Sequence, residues 1–223
     1  MQAAGFDRAW ILPYAHRAGV AESLNEWAAT EVIRYPWLVP GASFHPDDEA
    51  FPALVRRALV DLRLRVVKLH CSVGAFSPSD RRLDPLWDVA EAEGVPILIH
   101  VGRNSPGDTG VDEIRELAPV LTAHPRLRLV LAHAGHPSTP VALELMAQHE
   151  NLYADLTPVW LRTIEVMPAD LDRFAGRFLF GSDAPNNPMS VADQVTRFEA
   201  MGLPAPAFTM LMGGVAEALI PSS

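Results

Sequence analysis

The chain has 223 residues, of which 49% are hydrophobic, and a formal net charge of −9. This length and apolar content suit one globular domain over residues 1–223, and the negative charge argues against binding to nucleic acid or to an anionic membrane. No apolar run approaches the roughly 20 residues that a bilayer-spanning helix needs. Because Cys71 is the only cysteine, no internal disulfide can form, and we expect a soluble cytoplasmic protein.

Seven short apolar runs alternate with longer segments of helical periodicity. Most runs are apolar on both faces, as Ile-Leu-Ile at residues 97–99 shows, which is typical of parallel strands covered on both sides. The strand–helix alternation predicts a parallel α/β sheet with right-handed crossovers. The predicted strands are residues 9–12, 38–44, 66–70, 96–101, 127–133, 152–156 and 177–181.

Two helices between the strands have readable ends. Asp84 followed by Pro85 predicts an N-cap and a first helical position, and Gly94 predicts the C-terminal stop of the same helix. Ser190 followed by Asp193 predicts a capping box at the start of a later helix. No phosphate-binding glycine motif follows the first strand, so a dinucleotide-binding doubly wound sheet has no specific support.

Polar side chains recur at the C-terminal ends of the apolar runs. A single histidine at a strand end is most often a hydrogen-bonded structural group, but in a closed α/β barrel all these ends meet at one mouth, where active sites lie. Their common placement therefore favours a functional site. Residues 68 and 70 lie two apart on one strand, so both can point into the barrel. The candidate residues are His45, Lys68, His70, His100, His133 and Asp183.

Imidazole nitrogen and carboxylate oxygen are ligands for a zinc-like divalent cation. A catalytic site needs about three protein ligands and an open position for water, and His100, His133 and Asp183 could supply them. The metal acidifies water and polarises a carbonyl, and a nearby carboxylate can act as general base. Serine nucleophile chemistry has less support, because the chain has no Gly-x-Ser-x-Gly motif.

Several segments together resemble the amidohydrolase-related branch of the amidohydrolase superfamily. That branch includes aminocarboxymuconate semialdehyde decarboxylase, related aromatic-acid decarboxylases and pyrone dicarboxylate lactonase. The similarity runs over nearly the whole chain, and Phe-Gly-Ser-Asp-Ala-Pro is its most specific element. The segments are Val-Lys-Leu-His at 67–70, Leu-Asp-Pro-Leu-Trp at 83–87, Pro-Ile-Leu-Ile-His at 96–100, Leu-Ala-His-Ala-Gly at 131–135 and Leu-Phe-Gly-Ser-Asp-Ala-Pro at 179–185.

The resemblance implies a TIM-type (β/α) barrel with a metal centre at its mouth. By motif, His100 and Asp183 correspond to metal ligands, and His133 either joins the metal or polarises the substrate. Lys68 corresponds to a lysine at the mouth that some binuclear relatives carboxylate. We assign substrate binding to Lys68, His70 and His45, and catalysis to Asp183 and His133.

The chain departs from this family at its beginning. Family members open with a strand ending in His-x-His, and the sequence contains no His-x-His. Residues 1–9 resemble the end of the first helix leading into strand two, so we expect an incomplete barrel with strand one missing. Two unpaired strand edges would favour a homo-oligomer, and metal binding should be weaker than in relatives with all ligands.

The sequence therefore predicts a metal-dependent hydrolase acting on a small carboxylated, amide or lactone substrate through a metal-activated water. Two alternatives stay open: a metal-dependent decarboxylase of the same family, and a catalytically impaired barrel fragment. The identity of the substrate depends on loops such as residues 102–110 and 185–189, which carry no motif.

Overall fold

The computed structural model describes residues 4–102, 110–157 and 166–221, so residues 103–109 of the first predicted substrate loop lie outside the description. Seven parallel strands follow chain order across one sheet. All seven predicted strands are confirmed, and the observed strands end at most two residues inside the predicted bounds. They are β1 (Ala9–Ile11), β2 (Leu38–Ser43), β3 (Val66–His70), β4 (Ile97–His100), β5 (Leu129–Leu131), β6 (Leu152–Asp155) and β7 (Phe178–Leu179).

Helices cover the outside of this sheet. A π-helical segment, Arg57–Asp61, continues the second helix, and another, Met210–Gly214, joins the last two. A short 3₁₀ turn occupies Arg81–Leu83, and Ala132–Gly135 form a tight turn with left-handed residues at its centre. The α-helices of the described residues are α1 (Ala21–Arg34), α2 (Phe51–Arg56), α3 (Cys71–Gly74), α4 (Asp84–Glu93), α5 (Val111–Ala123), α6 (Thr139–Gln148), α7 (Pro168–Arg173), α8 (Val191–Glu199), α9 (Ala205–Thr209) and α10 (Val215–Leu219).

Two of the predicted helix ends are confirmed and one is shifted. Gly94 follows α4 with φ 64°, the left-handed conformation that favours glycine, and Ser190 Oγ accepts a hydrogen bond from Asp193 N at the start of α8. The prediction of Asp84 as N-cap was wrong by one residue. Leu83 holds that position, because the 3₁₀ turn before α4 runs directly into the helix.

The two faces of the sheet carry different residues, because side chains alternate along each strand. Val67 and Leu69 of β3, like Ile97 and Ile99 of β4, belong to the large core between the sheet and the helices. Leu98 belongs to a smaller apolar cluster on the opposite, inner face. The polar residues at the strand ends share that inner face. No helix among the described residues is long and apolar enough to cross a bilayer.

The sheet curls into an incomplete TIM-like barrel, as predicted, with β1 and β7 as its edges. Side chains of the described residues bridge the gap between these edges. The ring of Phe6 stacks on that of Phe180 with centroids 5.0 Å apart, and Arg8 binds both carboxylate oxygens of Glu217 at 2.7 and 2.8 Å. The segment before β1 is thus held against the end of β7 and against α10.

Gly41 marks a close approach between β1 and β2. A Cβ atom at this position would overlap the carbonyl oxygen of Ile11, which is rigid strand backbone. We expect Gly41→Ala to lower the free energy of unfolding by about 2 kcal/mol, measured by urea denaturation. Gly213→Ala is the matched control, because a Cβ there would meet no described atom within 4 Å. Equal stability of Gly41→Ala and the wild type would contradict the close approach.

Candidate active site at the barrel mouth

A cavity of about 1030 Å³ lies on the inner face of the sheet and reaches the C-terminal ends of the strands. It is bounded by residues of every strand except β5 and by the segments that follow β5 and β7. Five of the six predicted site residues line it, so the sheet brings side chains from four separate parts of the chain into one space. These are Lys68, His70, His100, His133 and Asp183.

Three imidazoles form a row across this cavity. His70 and His100 are register partners on β3 and β4, and their rings stack with centroids 4.0 Å apart and planes at 18°. The ring of His133, which follows β5, meets His100 edge-on with centroids 5.0 Å apart. The parallel pairing of β3 with β4 therefore brings the rings of His70 and His100 into contact.

Lys68 places a cationic group within the same space. The residue is only 9% exposed, and burial lowers the pKa of its ammonium to about 8, against the opposing influence of Asp155 and then Asp183. Desolvation disfavours the charged form, while the two carboxylates favour it. At neutral pH the side chain accordingly keeps its proton and can bind an anionic or carbonyl oxygen.

His70 is a neutral imidazole at neutral pH. Burial lowers its pKa to about 4, and the positive charges of Lys68 and of protonated His133 act in the same direction. Its Nδ1 accepts a hydrogen bond from Val73 N at 3.4 Å, so the proton of the neutral ring is on Nε2. This ring can therefore act as a hydrogen-bond donor to a ligand.

His133 and Asp183 both have left-handed backbone conformations, with φ of 54° and 49°. Such angles are uncommon for residues other than glycine and direct a side chain away from the path of the preceding strand. The buried Nδ1 of His133 has no hydrogen-bond partner among the described residues. The Asp183 carboxylate accepts a hydrogen bond from Asn186 Nδ2 at 3.2 Å.

Asp155, at the end of β6, is a cavity residue that the sequence analysis missed. It is only 4% exposed, and its Oδ1 accepts hydrogen bonds from Thr157 N at 2.8 Å, Thr157 Oγ1 at 2.5 Å and His133 N at 3.1 Å. An available signal was its place in Leu-Tyr-Ala-Asp-Leu, where a carboxylate ends an apolar run like the other candidates.

His45 lies outside the cavity lining that the described residues form. Its Nε2 bonds to the carbonyl oxygen of Gly74 at 2.9 Å, and its Nδ1 accepts from Asp47 N at 3.2 Å. Both ring nitrogens are thus engaged within the protein, and this geometry gives the predicted role in substrate binding no support. Cys71 is buried as well, and burial raises the pKa of its thiol, which makes it a poor nucleophile.

The sequence model of the amidohydrolase family matches residues 6–221. The chain belongs to the amidohydrolase family. A curated relative, the dihydroorotase of Halorhodospira halophila (strain DSM 244 / SL1), is 30% identical over 176 residues, which is 70% of this chain and 49% of that protein. The chain therefore spans about half the length of this curated amidohydrolase relative.

Solved structures agree with the amidohydrolase fold. An uncharacterised TIM-barrel protein from Bordetella bronchiseptica superposes with a TM-score of 0.82 at 23% identity, covering 98% of this chain and 79% of that one. The 5-carboxyvanillate decarboxylase of Novosphingobium aromaticivorans, complexed with manganese and 4-hydroxy-3-methoxy-5-nitrobenzoic acid, gives 0.77 at 16% identity, covering 97% and 77%. Because the sequence identities are low, these superpositions show a shared fold only.

The types of side chain in this cavity suit a divalent cation, but their arrangement provides only part of a metal site. The cavity holds imidazoles and carboxylates, and the buried Nδ1 of His133 without a hydrogen-bond partner is a suitable ligand atom. Yet across residues 4–102, 110–157 and 166–221 no three His, Cys, Asp or Glu side chains form a group that could hold a metal ion. The described residues thus supply a partial ligand set.

The lowered pKa of His70 predicts a pH-dependent stability. The unfolded chain takes up a proton near the ordinary pKa of 6.5 and the folded chain only near 4, so stability falls as pH drops through this window. We expect a loss of about 1 kcal/mol between pH 7 and pH 5, after allowance for the partial exposure of the ring.

His70→Gln should remove most of this loss, measured by urea unfolding at both pH values. His16→Gln, at an exposed histidine, is the control and should keep the wild-type pH dependence. An unchanged pH dependence in His70→Gln would contradict the assignment.

Proposed function

We propose that this chain is a hydrolase that acts on a small carboxylated, amide or lactone substrate in the cavity at the barrel mouth. The observation that carries the proposal is the convergence of Lys68, His70, His100, His133 and Asp183 on one cavity of about 1030 Å³. That volume suits a small molecule, and strand C-terminal ends are where barrel enzymes hold their active sites.

Each cavity residue has a role that follows from its chemistry. Asp183 is the general base that takes a proton from the attacking water, because carboxylates at this position are accessible acceptors. His133 orients the substrate and polarises its carbonyl. Lys68, with its pKa of about 8, keeps an ammonium that can bind a substrate carboxylate or carbonyl oxygen. His70 adds a neutral imidazole to the lining of the same cavity.

From the sequence, His100, His133 and Asp183 are the residues that we expect to contribute ligands to a divalent cation, although no three such side chains of the described residues form a complete group. Zinc is our first choice, because histidine and carboxylate are its usual ligands in hydrolases. When bound, the cation supplies Lewis acidity toward a carbonyl and makes water more acidic. Because the described residues form only a partial ligand set, we expect weaker binding than in a complete site.

The charges around the cavity favour a substrate with few negative groups. Arg8 is engaged by Glu217, while Asp155 and Asp183 add negative charge to the same lining. Lys68 is therefore the buried cation that can pair with one substrate anion. A cytoplasmic location and a homo-oligomeric state stay predictions from the sequence.

One observation favours each of the two alternative functions. A buried ammonium such as Lys68 can stabilise negative charge that develops when a carboxylate is lost, which suits a decarboxylase. The lack of a three-residue metal group in the described part of the chain suits a catalytically impaired protein. Hydrolysis has the broader support, because a general base and a carbonyl-orienting imidazole both line the cavity.

Two variants test the assigned site. His100→Ala and Asp183→Asn should remove the metal that the purified wild type retains after zinc or manganese loading, measured by elemental analysis. Asparagine tolerates the left-handed backbone at position 183, so this variant isolates the loss of charge. Hydrolysis of an amide and lactone panel should fall about 100-fold or more in both.

Asp172→Asn, on an exposed position of α7, is the matched control and should behave as wild type. Unchanged metal content in both site variants would reject the ligand assignment. A wild type that binds stoichiometric metal but releases carbon dioxide from aromatic acids would replace hydrolysis by decarboxylation.

Lys68 should set the preference for carboxylated substrates. Lys68→Met removes the charge while keeping the apolar stem, and we expect KM for carboxylated substrates to rise about tenfold or more while neutral lactones are little affected. In the wild type the same KM should rise above pH 8, because the ammonium then loses its proton. Steady-state kinetics between pH 6.5 and 9.5 measure both effects, and equal KM values for Lys68→Met and wild type would contradict the assignment.

A further inference from the structure

Asp155 lines the cavity, and the roles proposed above use only its negative charge. One of its oxygens, Oδ1, accepts three hydrogen bonds, two from Thr157 and one from the backbone N–H of His133. The residue is 4% exposed, so its carboxylate is fixed by these bonds and by its proximity to Lys68. Burying a carboxylate removes its hydration and costs free energy, which several hydrogen-bond donors must offset.

The bond to His133 acts at a strained part of the backbone. His133 and Ala134 have φ of 54° and 48°, two consecutive left-handed residues that are not glycine. Each such residue costs about 1 to 2 kcal/mol, so tertiary contacts must hold the turn. The Asp155 carboxylate provides such a contact at the N–H of His133, and the turn directs the His133 imidazole into the cavity.

The same carboxylate also limits the path of the chain after β7. A Cβ atom at Gly181 would overlap Thr157 Oγ1 and lie 3.2 Å from Asp155 Oδ1. Gly181 therefore packs its backbone directly against the Asp155–Thr157 pair. Asp183 follows two residues later in a left-handed conformation, so this contact helps to fix where its carboxylate lies.

We propose that Asp155 is a positioning residue, held by Thr157, that fixes the His133 turn by a hydrogen bond and the Asp183 segment by close packing at Gly181. The proposal rests on the proposed function, because it assigns roles around His133 and Asp183. Positioning requires an oxygen acceptor at residue 155 and not a negative charge, so asparagine and alanine at this position have different expected effects.

The experiment compares Asp155→Asn with Asp155→Ala in the full chain. Asparagine keeps an acceptor for the three hydrogen bonds, and we expect kcat near that of wild type. Alanine should lower kcat about 100-fold, because the reacting groups are displaced. KM for carboxylated substrates should rise in both variants, because each removes the carboxylate that favours the charge of Lys68. In ¹H–¹⁵N spectra, the amide proton of His133 should move upfield in the alanine variant and stay near its wild-type position in the asparagine variant. Asp172→Ala, at an exposed position, is the control.

The outcomes separate this proposal from the proposed function. Equal kcat losses in both variants, or an unmoved His133 amide in Asp155→Ala, overturn positioning by the hydrogen bond. A wild type inactive on every substrate overturns the proposed function, while the amide shift still decides the role of Asp155. Should Asp155→Ala fail to fold, Thr157→Val against Thr157→Ser replaces it, with loss of the wild-type amide position expected for valine and rescue for serine.

Discussion

The parallel register of the inner strands is the constraint on which the site depends. His70 pairs with His100 and Lys68 with Leu98, so the polar residues of β3 and β4 arrive at the same edge and on the same face. A slip of one residue would turn Lys68 and His70 toward the helices and bring Val67 and Leu69 into the cavity. The burial of these two apolar residues in the outer core therefore fixes the chemistry of the inner face.

The electrostatics of the cavity divide its residues into distinct roles. Lys68 keeps a positive charge because two carboxylates offset the cost of its burial. That charge in turn helps to keep His70 neutral, since a second cation beside it would be repelled. The cavity thus combines an ammonium, a neutral imidazole and carboxylates at the same pH, which is the combination that general acid–base chemistry needs.

Local sequence pattern predicted the strands and five of the residues that line the cavity, while long-range contacts determine how His45, His133 and Asp155 are held. The runs ending in His100 and His133 are continuous in sequence, so their period and their polar ends could be interpreted directly. The engagement of His45 depends on the carbonyl of Gly74, 29 residues away, and nothing in the local sequence indicates it. The turn after β5 is marked in the sequence only by Gly135, whereas the left-handed conformations of His133 and Ala134 have no local signal, and a hydrogen bond to Asp155 helps to hold them.

The open edge of the sheet makes Asp183 the site residue with the least support from strand pairing. β7 has two residues and pairs only with β6 among the described strands, so the ladder ends before residue 183. An aromatic stack such as Phe6 on Phe180 contributes about 1 kcal/mol and an exposed ion pair no more, which is less than a strand ladder provides. The segment is held instead by side chains: the buried Gln194 donates to the carbonyl of Ser182 at 3.1 Å, and Gly181 packs on Thr157. The position of the proposed general base therefore depends on tertiary hydrogen bonds and close packing, whereas Lys68, His70 and His100 are placed by the sheet itself.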